Sequence, residues 1–187
     1  FKSFAEKTNF LIEHGLTGIV GPNGCGKSNI VESLKWAMGE TSAKSMRGSG
    51  MEDVIFSGTS NKASKNIAEV SIVVDNASHE GPLQYKNMDQ IEVRRKIEKD
   101  KGSKFYINDK EVRARDAQMF FADLSTGAHS PSMISQGRIG ALVTAKPTDR
   151  RAILEEAANI SGLHVRRHEA ELRLNAAETN LKRADEL

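Results

Sequence analysis

The sequence predicts an α/β fold built around a phosphate-binding loop, and three observations carry that expectation. A glycine-rich stretch at residues 21–29, GPNGCGKSN, lies between the apolar run LTGIV and the helix-like IVESLKWAM. Two alternating runs further on read as strands of an antiparallel β section. The last residues follow a heptad pattern, the start of a coiled-coil helix.

The elements follow in chain order. The first 20 residues read as strands: Phe10 and Ile12 alternate with Asn9 and Leu11, His14-Gly15 suits a turn, and 16–20 is short, branched and apolar, as a buried strand would be. After the loop, Ile30, Val31, Leu34 and Met38 recur at helical spacing, with Gly39 as the stop. Residues 40–66, rich in Gly, Ser, Lys and Asn, read mainly as loop. Ala68, Val70, Ile72 and Val74 then alternate, as do Ile91, Val93, Arg95 and Ile97, which lead through KDKGSK into Phe105 and Ile107. Asn108-Asp109 before KEV marks another tight turn. A helix is expected over 116–124, a short strand over 133–135, and a second helix near Thr148, which follows Pro147 and can cap RRAILEEAA. From Leu163 onward, Arg167, Leu174 and Leu181 fall on one heptad position and Leu163, Ala170, Ala177 and Ala184 on the other. The expected division is a lobe at 1–162 and the root of a coiled-coil arm at 163–187.

Composition bounds the function. A chain of 187 residues can bury one sizeable core, and 38% hydrophobic with 28% charged residues is ordinary for a soluble globular protein. No apolar run approaches the roughly 18 residues that cross a bilayer, and no signal-peptide pattern opens the chain, so a soluble protein is expected. The single cysteine, Cys25, forms no internal disulfide, which fits a reducing cytoplasm. The first residue is Phe1, not Met, and the last are still in helical pattern, so both ends read as cut. Twenty-seven Lys+Arg against 25 Asp+Glu leave a net charge of +2, so nucleic-acid affinity has to come from local patches. One such patch is residues 94–115, with nine Lys/Arg against four Asp/Glu; in it Arg113 and Arg115, just before a helix start, are candidates for the phosphates of double-stranded DNA. One Trp and two Tyr argue against a base-stacking platform of the single-strand type.

GPNGCGKS matches G-x-x-x-x-G-K-[ST], and each position has a physical task. Gly24 and Gly26 let the backbone of the loop around Pro22, Asn23, Gly24, Cys25 and Gly26 curl and aim consecutive N–H groups at phosphate oxygens, while the helix starting near Lys27, with Asn29 in its first turn, adds its positive end. Lys27 reaches the β/γ-phosphates as a point charge, and the Ser28 hydroxyl suits Mg²⁺. Phosphate binding alone does not choose among kinases, GTPases and ATPases.

Six blocks in order make the choice more specific: FKSFAEKT, GPNGCGKSNIVESLKWAMGE, MRGSGMEDVIFSGT, EVSIVVDN, ISQGRI, and RRAILEEAA followed by the heptad helix. Together they resemble the N-terminal head segment of bacterial SMC (structural maintenance of chromosomes) proteins. The resemblance implies the N-terminal lobe of a P-loop, ABC-type ATPase head that uses ATP and Mg²⁺. Its implied partners are a C-terminal lobe of the same head, a second head in a homodimer, double-stranded DNA and accessory kleisin-type subunits. It also implies a cytoplasmic, nucleoid-associated protein engaged in chromosome condensation and segregation. By position, Gln136 resembles the glutamine that reaches Mg²⁺ and the attacking water, Arg47 an arginine loop able to face phosphate charge, and Lys2 and Ser3 the first-strand residues near the nucleotide. Two departures stand out: Cys25 where serine is common, and Asn108-Asp109 where Asn-Gly is expected. No apolar strand ending in Asp-Glu is present, and LSTG at 124–127 lacks paired glycines and precedes ISQGRI, so the chain reads as half of a catalytic machine. Two rival readings are a RecN-like or RecF-like repair ATPase and a non-hydrolysing module that binds ATP and DNA.

Overall fold

The computed structural model describes every residue except 14, 80, 125, 128–132, 134–139, 141–142, 158–160 and 186–187, and in the last helices some residues by backbone alone. Its organising element is a strand whose inward residues are Ile91, Val93, Arg95 and Ile97, all buried. This strand, β2 (Gln90–Glu98), pairs antiparallel with β1 (Ile67–Asp75) on one side and β3 (Gly102–Ile107) on the other. β4 (Lys110–Val112) completes a sheet of order β1-β2-β3-β4, every neighbour being a hairpin partner. The tight β3–β4 turn puts both Asn108 (φ 47°) and Asp109 (φ 63°) in the left-handed region, the geometry a two-residue hairpin requires.

Two helices cover the inner face of the sheet. One half packs on α2 (Ala114–Asp123): Ile91, Val93, Phe105 and Ile107 meet Ala117, Phe120 and Phe121. The other half packs on α1 (Lys27–Ala37), where Ile97 and Ala68 join Trp36, Met46, Val54 and Ile55. Each fully buried side chain of this size contributes about 1.5–3 kcal/mol of transfer free energy. Arg95 lies between the two clusters, with its guanidinium 4.5 Å from the Trp36 ring centre and 4.7 Å from that of Phe105. It donates to the carbonyls of Trp36 (2.8 Å) and Glu40 (2.7 Å) and so caps the C-terminal end of α1. The alternation expected for β1 to β3 is therefore observed, whereas Arg95, counted in the basic run, is a core residue and no part of a surface patch.

α3 (Pro147–Ala157) begins at Pro147, one residue ahead of the expected start, and α4 (Ser161–Asp185) carries the heptad stretch with Leu174 and Leu181 exposed. Residues 40–66 are mainly loop with one short 3-10 turn, Met51–Val54. The strand expected at 133–135 lies outside the described residues apart from Met133. The strands expected at 9–12 and 16–20 are not formed. Leu16 is 100% and Val20 92% exposed, and the described strands pair only among themselves. A strand exists only where another strand satisfies its N–H and C=O groups, and among the described residues no strand pairs with this segment.

Candidate nucleotide site

The phosphate loop opens directly onto α1. Gly26 is the N-cap, with φ 93°, and a Cβ built there would stand 2.8 Å from the Ser3 hydroxyl oxygen, so both backbone shape and space demand glycine. No side chain caps the helix and its first turn holds no acidic residue, so its positive end stays uncompensated. Among the described residues the N–H groups of Gly24, Gly26, Lys27 and Ser28 find no acceptor. The Ser28 hydroxyl is likewise exposed and without a partner among them. Lys27 arches back over the loop: its Nζ donates to the carbonyls of Gly21 and Pro22, both at 2.6 Å, and lies 3.8 Å from Cys25 Sγ. A row of unpaired N–H groups at a helix start, with one ammonium above it, fits a polyphosphate, and Ser28 fits the metal that such a group carries.

A second set of residues is tied to the same turn of helix. Asn29 Nδ2 donates to Ser3 Oγ at 2.8 Å, and Asn29 Oδ1 accepts from Arg47 Nη2 at 2.9 Å. Arg47 Nε is 2.5 Å from Glu32 Oε1, and Lys2 Nζ is 2.5 Å from Glu32 Oε2. Lys2 also donates to the Met46 carbonyl. The structure thus brings together Lys2, Ser3, Gly26, Asn29 and Arg47, residues singled out from three separate stretches of sequence. Lys2 and Arg47 both occupy the left-handed region, at φ 45° and 54°, where a non-glycine residue costs on the order of 1–3 kcal/mol and persists only when its surroundings hold it. The loop after Arg47 is latched by Asp53, whose Oδ2 accepts from Ser49 N (2.6 Å), Gly50 N (3.0 Å) and Ser49 Oγ (3.0 Å). The Gly50 N–H, then the Ser49 N–H and hydroxyl, hold this carboxyl below the usual range.

Sequence reasoning missed Glu32 and Asp53. Glu32 stands three residues after Asn29 on the same helical face, and that spacing was the signal available. Gln136 lies outside the described residues. Arg113 and Arg115 are placed away from this cluster, at the start of α2, where the Arg113 N–H donates to Asp116 Oδ2 at 3.2 Å. Of the other basic residues in the 94–115 run, Arg94 pairs with Asp109 (2.6 Å), Lys101 with Glu98 (2.7 Å) and Lys104 with Glu111 (3.0 Å), which lowers the effective charge of that surface.

A glycine-rich loop opening onto a helix, beside an antiparallel sheet and a long terminal helix, places the chain in the P-loop class, with the ABC-type fold of an SMC head's N-terminal lobe. The family described as RecF/RecN/SMC N terminal domain matches residues 1–142, and the chain belongs to it. Chromosome partition protein Smc of Rhodopseudomonas palustris is 56% identical over 187 residues, and that of Cereibacter sphaeroides 57%; each match covers 100% of this chain and 16% of the relative. The chain therefore spans about a sixth of the length of these relatives. A solved chain from work on ATP-driven dimerization and DNA-stimulated activation of SMC ATPases is 30% identical, with a TM-score of 0.64, covering 78% of this chain and 86% of that one. An Smc head domain with an extended coiled coil from Pyrococcus furiosus, bound to the C-terminal domain of ScpA, is 28% identical with a TM-score of 0.68, covering 88% and 40%.

Proposed function

We propose that this chain is the ATP-binding half of an SMC head, which hydrolyses ATP with a C-terminal lobe and a second head and so serves chromosome segregation on double-stranded DNA. The observation that carries the reading is the linkage of the phosphate-loop helix to Arg47 through Asn29, which sets a second cation beside a ready-made phosphate cradle. In this reading the backbone of residues 22–26 and the N–H groups of Lys27 and Ser28 hold the phosphates. Lys27 gives up the carbonyls of Gly21 and Pro22 for phosphate oxygens, and Ser3 and Lys2 border the nucleotide. Mg²⁺, held by Ser28 and Gln136, would neutralise charge across the β- and γ-phosphates. Gln136 orients the attacking water.

The relatives named for chromosome partition support the biological role, and the solved Smc head bound to ScpA supports a kleisin-type partner. The unpaired apolar segment 9–20 supports a C-terminal lobe of the same head as the missing neighbour. In the same reading, residues 1–162 form the lobe and 163–187 the root of the coiled-coil arm, in a protein working at the nucleoid.

Phosphoryl transfer to water is catalysed almost entirely by positioning and electrostatics, so a half-site holds nucleotide and scarcely turns it over. Steady-state phosphate release by the chain alone is expected near background. Adding a separately expressed C-terminal lobe is expected to restore it, with a steeper than linear dependence on head concentration. Lys27→Ala abolishes nucleotide binding and leaves the fold intact, as circular dichroism would report. Robust, Lys27-dependent turnover by the chain alone would overturn the reading.

A further inference from the structure

The two cations Lys2 and Arg47 come from separate loops, and each would repel the other if left alone. Between them stands one carboxylate, Glu32 on α1, with one oxygen for each cation: Oε1 to Arg47 Nε and Oε2 to Lys2 Nζ, both at 2.5 Å. Its side chain is 11% exposed against 60% for Arg47, so the anion is the fixed, buried partner and the guanidinium reaches outward from it. Asn29, one turn earlier on the same helix, takes Arg47 Nη2, while among the described residues Nη1 meets no acceptor. The left-handed backbone of both Lys2 and Arg47 shows that each is held in a conformation it would not keep unsupported.

We infer that Glu32 is a positioning residue: as the shared anion of Lys2 and Arg47, it fixes the Nε edge of the Arg47 guanidinium and so aims Nη1 at the phosphates of the bound nucleotide. This rests on the reading of the loop as an ATP site. Glu32 is shared between the two cations and Lys2 also faces Asp53, so the Arg47 guanidinium keeps its Nη1 edge, unpaired among the described residues, for an incoming phosphate, and the Glu32 carboxylate decides where that edge points. A neutral amide of the same shape cannot do this, because its NH₂ end would face one of the two cations.

The test is a double-mutant cycle in the full-length protein with Glu32→Gln, Arg47→Ala and the pair. Two quantities are read: affinity for a fluorescent, non-hydrolysable ATP analogue, and steady-state phosphate release. Arg47→Ala is expected to lower turnover about a hundredfold, as loss of one group aimed at developing charge does. Glu32→Gln is expected to lower it about tenfold, and the double variant to fall well short of the product of the two losses in both readouts, because two residues acting as one unit do not add and only the release of Lys2 remains beyond Arg47→Ala. Wild-type behaviour of Glu32→Gln, or a double variant that loses the product of the two single losses, overturns the inference and leaves Glu32 a structural residue. A silent Arg47→Ala overturns it as well. Lys27→Ala separates this from failure of the site itself: normal analogue binding by that variant would remove the ATP reading, whereas lost binding beside an additive cycle would remove only the role of Glu32. If Glu32→Gln does not accumulate as folded protein, the cycle is run with Glu32→Asp, which keeps the charge but shortens the reach by one methylene, and the same outcomes decide.

Discussion

At the scale of single residues, the site divides into groups that a motif announces and groups that only the folded chain reveals. Lys27, Ser28 and the two loop glycines could be read from spacing, because a phosphate loop needs those residue types at those intervals. Glu32 and Asp53 could not, since an acidic residue on a helix or in a Gly/Ser loop most often simply faces water. Asp53 makes a pH prediction. Its carboxyl is held low in the fold by the Gly50 and Ser49 donors, so the stability it lends the arginine loop is present above its unfolded value of about 3.9 and is lost as pH falls through the lower folded value. The loop should therefore stay latched through the ordinary aspartate range and open only as pH falls through the lower folded value. Amide shifts of Ser49 and Gly50 followed by NMR are expected to titrate together, with a midpoint below that of a free aspartate. A midpoint at or above the ordinary value would refute the latch.

At the scale of elements, alternation identified β1, β2 and β3 because each lies with one face on the core, and apolar spacing identified α1 for the same reason. It failed for 9–20, where the pattern is strand-like but pairing, which the local sequence does not encode, decides the outcome. The alternation even placed Arg95 inward, against its charge. Burial pulls the Arg95 pKa down to about 10, while Glu40, itself buried, acts in the opposite direction. Arg95→Ala is expected to cost about 3–5 kcal/mol in denaturant unfolding, because it takes the Arg95 donor from the Glu40 carbonyl and one of two donors from the Trp36 carbonyl, and removes the cation that offsets the buried Glu40 carboxylate. Arg95→Met, which keeps much of the packing over Trp36 and Phe105, should cost less. A loss for Arg95→Ala within the ±0.5 kcal/mol or so typical of surface substitutions would show that the bridge from sheet to helix contributes little.

At the scale of the whole molecule, the nucleotide cluster is built at one end of α1 and the sheet is fastened to the other by Arg95, with the start of α2 set apart. If that distant start of α2 meets DNA, Arg113→Glu with Arg115→Glu should weaken binding of double-stranded DNA by the assembled head. The slope of log K against log[salt] should fall by about 1.8, roughly 0.9 per lost phosphate contact, with nucleotide affinity unchanged. An unchanged slope would move the contact elsewhere.

The bare segment 9–20 also governs how the chain behaves in a tube. Leu11, Ile12, Leu16, Ile19 and Val20 are exposed, their backbone meets no strand among the described residues, and another copy of the same segment can supply that ladder. Light scattering by the chain alone should therefore rise more steeply than its concentration, and Leu16→Lys with Val20→Lys should suppress it without disturbing α1 or the sheet. Scattering that is indifferent to those charges would place the sticky surface elsewhere. In the proposed reading, the C-terminal lobe that would pair with this segment would also keep the lobe from precipitating on itself.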